Sequence, residues 1–351
     1  MTGLRVGLRC DAGPRRGVGH LVRCVALGEE FLARGAHVAL LGSVAGVEWA
    51  AGQLAARGIP HHPGPDTPDG LVAAAREHAL DVLVLDSYEL DPACAGALRA
   101  AGIRTLAIVD GDARGQDADL YLDQNLDART VAPADRLLAG TRYALLRREV
   151  LSRRPAAPRP PTPAARPRVL AFFGGTDAFG AAPPLTRLLL GTGQPMELTV
   201  VVAREPTAAE LAAVRPARGQ TLRLVPPTDT LPGMIAEADL VVSAAGTSTW
   251  ELCCLGAPSA LVCVVDNQRD SYHRVIREGV AAGLGELPTL IAAGPDGRAA
   301  RADAVQALRG LLTSADRRAA LSARAWSTVD GRGRVRVVDA VLALLATPTP
   351  H

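Results

Sequence analysis

Between Arg153 and Pro167 the chain sheds nearly all large apolar residues and fills with proline (Pro155, Pro158, Pro160, Pro161, Pro163, Pro167). Proline has no N–H to donate, so such a stretch can be neither a helix interior nor a central strand. It reads as a semi-rigid interdomain linker. The chain must then fold as two halves, residues 1–152 and 168–346, and its 351 residues are enough for two domains of ordinary size. Each half repeats one pattern: a short apolar run, a glycine-bearing loop, a helix and another apolar run. That order specifies parallel α/β units.

In the first half, Leu4–Leu8 reads as a strand and Arg9-Cys10-Asp11-Ala12-Gly13 as a loop. Gly17-Val18-Gly19-His20 opens a helix that runs to about Arg34, and His37–Leu41 is the second strand. The motif is GxGHxxR, spanning Gly17, Gly19, His20 and Arg23, and differs from the dinucleotide GxGxxG. The second strand ends Leu40-Leu41-Gly42-Ser43, without the acidic residue that holds a dinucleotide ribose. Both departures argue against a nicotinamide or flavin Rossmann site.

Three more strands are expected at Asp81–Leu85, Thr105–Val109 and Leu120–Leu122. They end in the polar triplets Asp86-Ser87-Tyr88, Asp110-Gly111-Asp112 and Asp123-Gln124-Asn125, on the sheet edge that carries His20. At that edge His20 can act as a general base near neutral pH or can cap its own loop. Asp110, Asp112 and Asp117 do not form a calcium loop, because the twelfth position is Tyr121. His61-His62 lacks a third ligand and reads as surface loop.

In the second half, the strand Arg168–Phe173 leads into Gly174-Gly175-Thr176-Asp177 and a helix near Pro184–Gly191. Strands at Leu198–Ala203 and Leu222–Val225 and a short helix near residues 229–235 precede Leu240. The stretch Ser243–Gln268 then organises this half. Ala244, Ala245 and Gly246 let another molecule approach the backbone. Thr247, Ser248 and Thr249 open a helix with hydroxyls suited to capping it. Free N–H groups at such a turn favour an anion, and Glu251 can accept two hydrogen bonds from a sugar diol. The alternative is a capped core helix with a solvated Glu251. A strand near Gly283–Leu287 follows. Helices are expected at about Ala299–Thr313, Asp316–Trp326 and Val335–Leu345, and the tail Thr347–His351 is expected to be disordered.

Composition narrows the functions. At 48% hydrophobic, 21% charged and net charge +2, this is a globular chain without the basic surface of a nucleic-acid or membrane binder. It has no lysine, so all 38 basic residues are arginine, which excludes a P-loop lysine or a Schiff base. Cys10, Cys24, Cys94, Cys253, Cys254 and Cys263 form no CxxC pair and read as small buried hydrophobes of a reducing compartment. With no signal pattern and no apolar run of transmembrane length, the expected location is cytoplasmic.

The motifs RCDAGPRRGVGHLVRCVAL, VLVLDSY, VDGDARGQDADLYLDQN, FFGGTD, SAAGTSTWELCCLG and VDNQ run in order over residues 5–268. Together they resemble the PseG/SpsG group of the GT-B superfamily, related in fold to MurG-type glycosyltransferases. The resemblance implies a GT-B fold, two Rossmann-like domains with parallel sheets facing a central cleft that holds a UDP-sugar. The activity it implies is release of UDP from UDP-2,4-diacetamido-2,4,6-trideoxy-β-L-altrose, on the way to pseudaminic acid in surface-glycan synthesis. By the same resemblance His20 activates or orients water, Tyr88 and Asn267 join it as catalytic residues, and Asp11 helps place His20 or the sugar. Glu251 holds the ribose. The remaining substrate-binding residues are Gly17, Gly19, Arg23, Gly174, Gly175, Thr176, Asp177, Ala245, Gly246, Thr247, Ser248, Thr249 and Gln268. The forms DSY, LDQN and VDNQ point to the SpsG-like branch, known also from spore coat polysaccharide synthesis, so the sugar can differ.

No metal or cofactor is expected. Diphosphate is already a good leaving group, and loop N–H groups with a helix N-terminus can meet its growing charge. Water attacking the opposite face of the sugar would invert the anomeric centre. The same residues serve a GT-B glycosyltransferase if an acceptor hydroxyl replaces water. A non-catalytic nucleotide-sugar binding protein is a third reading.

Overall fold

The computed structural model describes residues 3–14 and 16–347. Continuous apolar runs give strands buried on both faces, as a helix-covered parallel sheet requires. Val82–Leu85 and Leu240–Ala244 are buried at every position. By its contacts the chain divides into two compact units, Met1–Arg148 with Gly331–His351, and Glu149–Asp330.

The first unit runs β1 (Arg5–Arg9), α1 (Gly19–Ala33), β2 (His37–Leu41), α2 (Glu48–Ala55), β3 (His61–His62), α3 (Pro68–Glu77), β4 (Val82–Leu85), α4 (Cys94–Ala100), β5 (Arg104–Ile108), β6 (Leu120–Asp123) and β7 (Leu137–Ala139); α5 (Arg148–Leu151) leads out. Its parallel strands stand in the order β3-β2-β1-β4-β5-β6-β7. Alternation along β4 feeds two cores: Val82 and Val84 pack with Leu21 and Val25 of α1, Leu83 and Leu85 with Leu71 of α3 and Leu98 of α4. His61 and His62, expected in a loop, instead pair with Leu40 and Leu41, and the His62 ring lies 4.2 Å from that of His78.

The second unit runs β8 (Arg168–Phe172), α6 (Ala182–Gly191), β9 (Met196–Val201), α7 (Glu205–Ala212), β10 (Gln220–Val225), α8 (Leu231–Glu237), β11 (Leu240–Ala244), α9 (Ser248–Cys254), β12 (Ser259–Cys263), α10 (Arg269–Arg277), β13 (Ala282–Glu286), α11 (Leu287–Ile291), α12 (Pro295–Thr313) and α13 (Ala315–Thr328). The strand order is β10-β9-β8-β11-β12-β13, again parallel. In each sheet the winding reverses once, between β1 and β4 and between β8 and β11. Loops at such a reversal leave in opposite directions and open a crevice at the strands' carboxyl ends.

Two expected boundaries change. The proline-rich stretch has no helix or strand, as its composition requires, but it is strapped to the second unit. Arg154 donates to the carbonyls of Cys254, Val329 and Trp326 at 2.8, 2.6 and 3.0 Å, and Arg159 to those of Ala238 and Ile235 at 2.5 and 2.9 Å. Trp326 Nε1 donates to the Pro155 carbonyl at 2.9 Å. Arginines thus supply the donors that the prolines lack.

The last helix, α14 (Gly333–Ala346), was expected in the second half and belongs to the first unit. Its buried Val337, Val338 and Val341 complete the core around α1. Arg34 pairs with Asp339 at 2.9 Å and Arg334 with Glu29 at 2.7 Å. Glu29 also accepts from Arg57 at 2.6 Å and from the Arg148 N–H at 2.7 Å. Gly333 lies so close to residues 143–144 that a Cβ would sit 2.2 Å from the Ala144 carbonyl oxygen. Chain order misled the boundary because a valine stripe at helical spacing names no partner. Of the expected disordered tail, residues 348–351 lie outside the described residues. Among the described residues, no helix is long and apolar enough to cross a membrane.

Candidate active site

Strands β1 and β4 are neighbours, with Arg9 beside Leu85. The loop after β1 enters α1 at Gly19, just before His20, and the loop after β4 begins at Asp86, so the winding reversal brings together residues far apart in sequence. His20 Nδ1 lies 2.6 Å from Asp86 Oδ1 and 3.1 Å from the Asp86 carbonyl oxygen. Both partners are acceptors, so Nδ1 carries a proton, and in the neutral imidazole the lone pair is then on Nε2. No described residue bonds to Nε2. The histidine reaches across to β4 and does not cap its own glycine loop.

Asp86 is buried and held from below. Arg23 Nε and Nη2 donate to its two carboxylate oxygens at 2.6 and 2.7 Å. The same guanidinium donates twice to Asp110, at 3.0 and 3.0 Å. Asp110 also accepts from the Tyr88 hydroxyl at 2.6 Å and from Asn125 Nδ2 at 3.0 Å. Asn125 in turn bonds Asp123, which accepts from the Gly111 N–H and the Thr130 hydroxyl. The Tyr88 ring stands edge-on to His20 with centroids 4.6 Å apart.

The charges in this network are mutually dependent. Burial pushes the Asp86 and Asp110 carboxyls up, but the Arg23 charge and hydrogen bonds from His20, Arg23, Tyr88 and Asn125 outweigh it, and both stay below the ordinary carboxylate value. Burial pulls Arg23 down, and the charges of Asp110 and Asp86 more than reverse that. Partial burial and then the Asp110 charge push the Tyr88 phenol up, so it is a donor throughout the neutral range. An ionised carboxylate behind a histidine whose far nitrogen is open is the arrangement of a general base.

Two residues assigned to this site do other work. Asp11 lies on the β2 side of β1: it accepts the Ser43 N–H at 2.8 Å and pairs with Arg9 at 2.9 Å and Arg16 at 3.5 Å. Asp86 stands beside His20, so of the two roles expected for Asp11, placing His20 or the sugar, the first is filled by Asp86. Arg23 is 3% exposed, with four of its N–H bonds committed to carboxylates, and is a strut beneath the site. Gly17 turns the preceding loop at φ 76° and exchanges two hydrogen bonds with Gly13; Gly19 is the first residue of α1.

In the second unit the loops after β8 and β11 flank the other reversal, since Phe172 pairs with Ser243. Gly174 (φ 73°) and Asp177 (φ 44°) curl the first loop over Gly175 and Thr176. Asp177 is buried and accepts the Ala181 and Ala182 N–H groups at 2.7 and 3.1 Å. It secures the start of α6, so its carboxylate is not presented to a ligand; burial, opposed by those two bonds, raises its pKa. The expected hydroxyl cap on α9 is absent: Thr247 precedes the helix without a side-chain bond to it. Instead the buried hydroxyls of Ser243 and Thr249 have no partner. Ala245 donates its N–H to the Val262 carbonyl, and the Gly246 carbonyl accepts from Thr249. Ser248 is the first residue of α9. Glu251 is 4% exposed, which removes the solvated alternative. Gln268 Oε1 accepts the Val264 N–H at 3.1 Å, folding back on its own strand, and the neighbouring Asn267 is exposed.

Sequence reasoning had His20 and Tyr88 but gave no role to Asp86, Asp110, Asn125 or Asp123. The available signal was that each follows a strand on the same edge. Among the described residues, no group of three or more His, Cys, Asp or Glu side chains is placed to hold a metal ion. The six cysteines are free and buried.

No protein-family profile and no curated protein sequence matches this chain. Solved structures do. The crystal structure of Acinetobacter baumannii MurG aligns over 97% of this chain and 99% of its own, with TM-score 0.70 and 17% identity. UDP-GlcNAc 2-epimerase from Neisseria meningitidis, solved bound to UDP-GlcNAc, aligns over 97% and 100%, with TM-score 0.66 and 11% identity. The spinosyn rhamnosyltransferase SpnG aligns over 96% and 100%, with TM-score 0.62 and 16% identity. Near-complete coverage of both partners establishes the fold: two Rossmann-like α/β units of the GT-B kind.

Proposed function

We propose that this chain is a nucleotide-sugar hydrolase that releases UDP by water attack at the anomeric carbon. The observation that carries the reading is the His20–Asp86 pair, with Nδ1 fixed on a buried carboxylate and Nε2 open. His20 takes the proton from the attacking water, and Asp86 stabilises the imidazolium that forms. Tyr88 stands at the rim with its O–H donated to Asp110, which leaves the phenol oxygen's lone pairs for a substrate hydroxyl. The loops at residues 174–177 and 244–249 of the second unit are assigned to the diphosphate, whose leaving needs charge stabilisation more than protonation. UDP-sugars enter the proposal from the UDP-GlcNAc-bound neighbour and from the PseG/SpsG resemblance, which also proposes a diacetamido-trideoxy sugar and a cytoplasmic enzyme of surface-glycan synthesis.

A glycosyltransferase is the second reading, favoured by the likeness to the spinosyn rhamnosyltransferase. An acceptor hydroxyl would then take the place of water at His20. The experiment is UDP release from a panel of UDP-sugars, including 2,4-diacetamido sugars, with no acceptor and with EDTA present. Many turnovers with an inverted free sugar support a metal-independent hydrolase. UDP binding without release moves the assignment to transfer. The His20→Ala variant should bind UDP like the wild type and lose about 10²–10⁴ in turnover; unchanged turnover removes His20 from the chemistry.

A further inference from the structure

The loop Asp110–Gly115 bends through three left-handed positions, Gly111 at φ 81°, Arg114 at φ 50° and Gly115 at φ 71°. Glycine adopts that conformation freely, whereas an arginine there needs support. The Asp112 carboxylate supplies it by accepting the Arg114 N–H at 2.8 Å. The loop is pinned on one side by the Gly111 N–H on Asp123 at 3.0 Å. On the other side Gln116 donates to the Asp91 carbonyl at 2.8 Å and accepts from Ala95 at 3.0 Å. This bend lays the Arg114 guanidinium over the Tyr88 ring, 4.0 Å from its centroid. Tyr88 is itself edge-on to His20. The open histidine, the phenol and the guanidinium therefore stand together at one rim.

The nearby arginines are otherwise engaged. Arg23 is locked between Asp86 and Asp110, and Arg16 pairs with Asp11 and Glu89. No described carboxylate lies within ion-pair distance of the Arg114 guanidinium, which rests on the Tyr88 ring. A guanidinium stacked on an aromatic face is held in plane while its N–H edges stay free for a two-oxygen anion.

We propose that Arg114 is the anion-recognising residue of this site, taking a phosphate or carboxylate group of the substrate beside His20. In a chain without lysine this duty falls to an arginine. The identity of the substrate rests on the nucleotide-sugar reading above; the anion site does not.

The test uses the full chain as wild type, Arg114→Gln and Arg114→Lys. Two quantities are measured: the affinity for inorganic pyrophosphate by calorimetry, and kcat and KM for UDP release from UDP-sugars with neutral sugars and from UDP-glucuronate. Arg114→Gln should weaken pyrophosphate or raise KM by about tenfold or more, with an unchanged melting temperature, and Arg114→Lys should recover part of the loss. Pyrophosphate held elsewhere on the chain is common to all three proteins and cancels. A loss on every UDP-sugar assigns Arg114 to the diphosphate; a loss confined to UDP-glucuronate assigns it to a sugar carboxylate. Values within twofold of wild type on every ligand overturn the proposal. Arg114-dependent pyrophosphate binding without turnover of any UDP-sugar would leave the anion site standing and remove the functional reading. Turnover that ignores Arg114 would do the reverse.

Discussion

Replacing Arg23 by methionine is the sharpest test of the network beneath His20. Methionine fills similar space with an unbranched chain but leaves Asp86 and Asp110 facing each other without the cation that both grip at 2.6–3.0 Å. Removing one partner of a buried ion set costs about 3–5 kcal/mol, because the remaining charge is uncompensated. For a unit of this size that is roughly 6–20 °C in melting temperature. The pH dependence separates this cause from simple loss of packing. In the wild type both carboxyls lie below their unfolded value near 3.9. Their contribution is therefore complete above that value and is lost as pH falls through the folded pKa. In the variant burial acts unopposed by Arg23, the folded pKa rises above the unfolded one, and stability is lost as pH rises instead. The gap between the two proteins should be widest near pH 7 and narrow toward pH 4, as the variant's carboxyls regain their protons; the wild-type share of it persists until the pH falls through the lowered folded values. Calorimetric melts across that range, following the transition of the first unit, measure it. A loss under about 1 kcal/mol, or one independent of pH, would refute the charge accounting.

Asp86→Asn should lower kcat for UDP release by up to about 10²–10⁴ with little change in KM, since it removes the charge that stabilises the imidazolium and leaves the rim intact; an unchanged kcat sinks the dyad. Gly333→Ala should destabilise the first unit by about 1–3 kcal/mol, because the new Cβ meets backbone atoms of residues 143–144 that cannot rotate away. Hydrogen exchange should then rise selectively in α14, and unchanged exchange there would contradict the close approach.

The strands were legible in the sequence because a parallel sheet buried on both faces writes itself as uninterrupted apolar runs. His37–Leu41 is an example, recovered with its boundaries intact. His61–His62 was missed because two polar residues at a sheet edge carry no such pattern. The positions of His20 and Tyr88 were legible for the same reason as the strands: each follows one at its carboxyl end. The partner of His20 was not. Asp11 is nearer in sequence, but only the strand order, with β4 beside β1, shows that residue 86 reaches the histidine and residue 11 turns the other way. Arg23 shows the converse limit. A motif can mark a residue as part of a site without saying whether it meets the ligand or holds up those that do.

The return of α14 to the first unit has a consequence for the order in which this protein can be built. Translation delivers the seven strands of that unit first, yet Val337, Val338 and Val341, which close the core around α1, leave the ribosome only after the whole second unit. Throughout synthesis of the second unit the face of α1 lacks its cover, and Glu29 waits for Arg334. The unit that begins first is completed only after the other has been made, and a nascent chain stalled within the second unit exposes an apolar seam on the first.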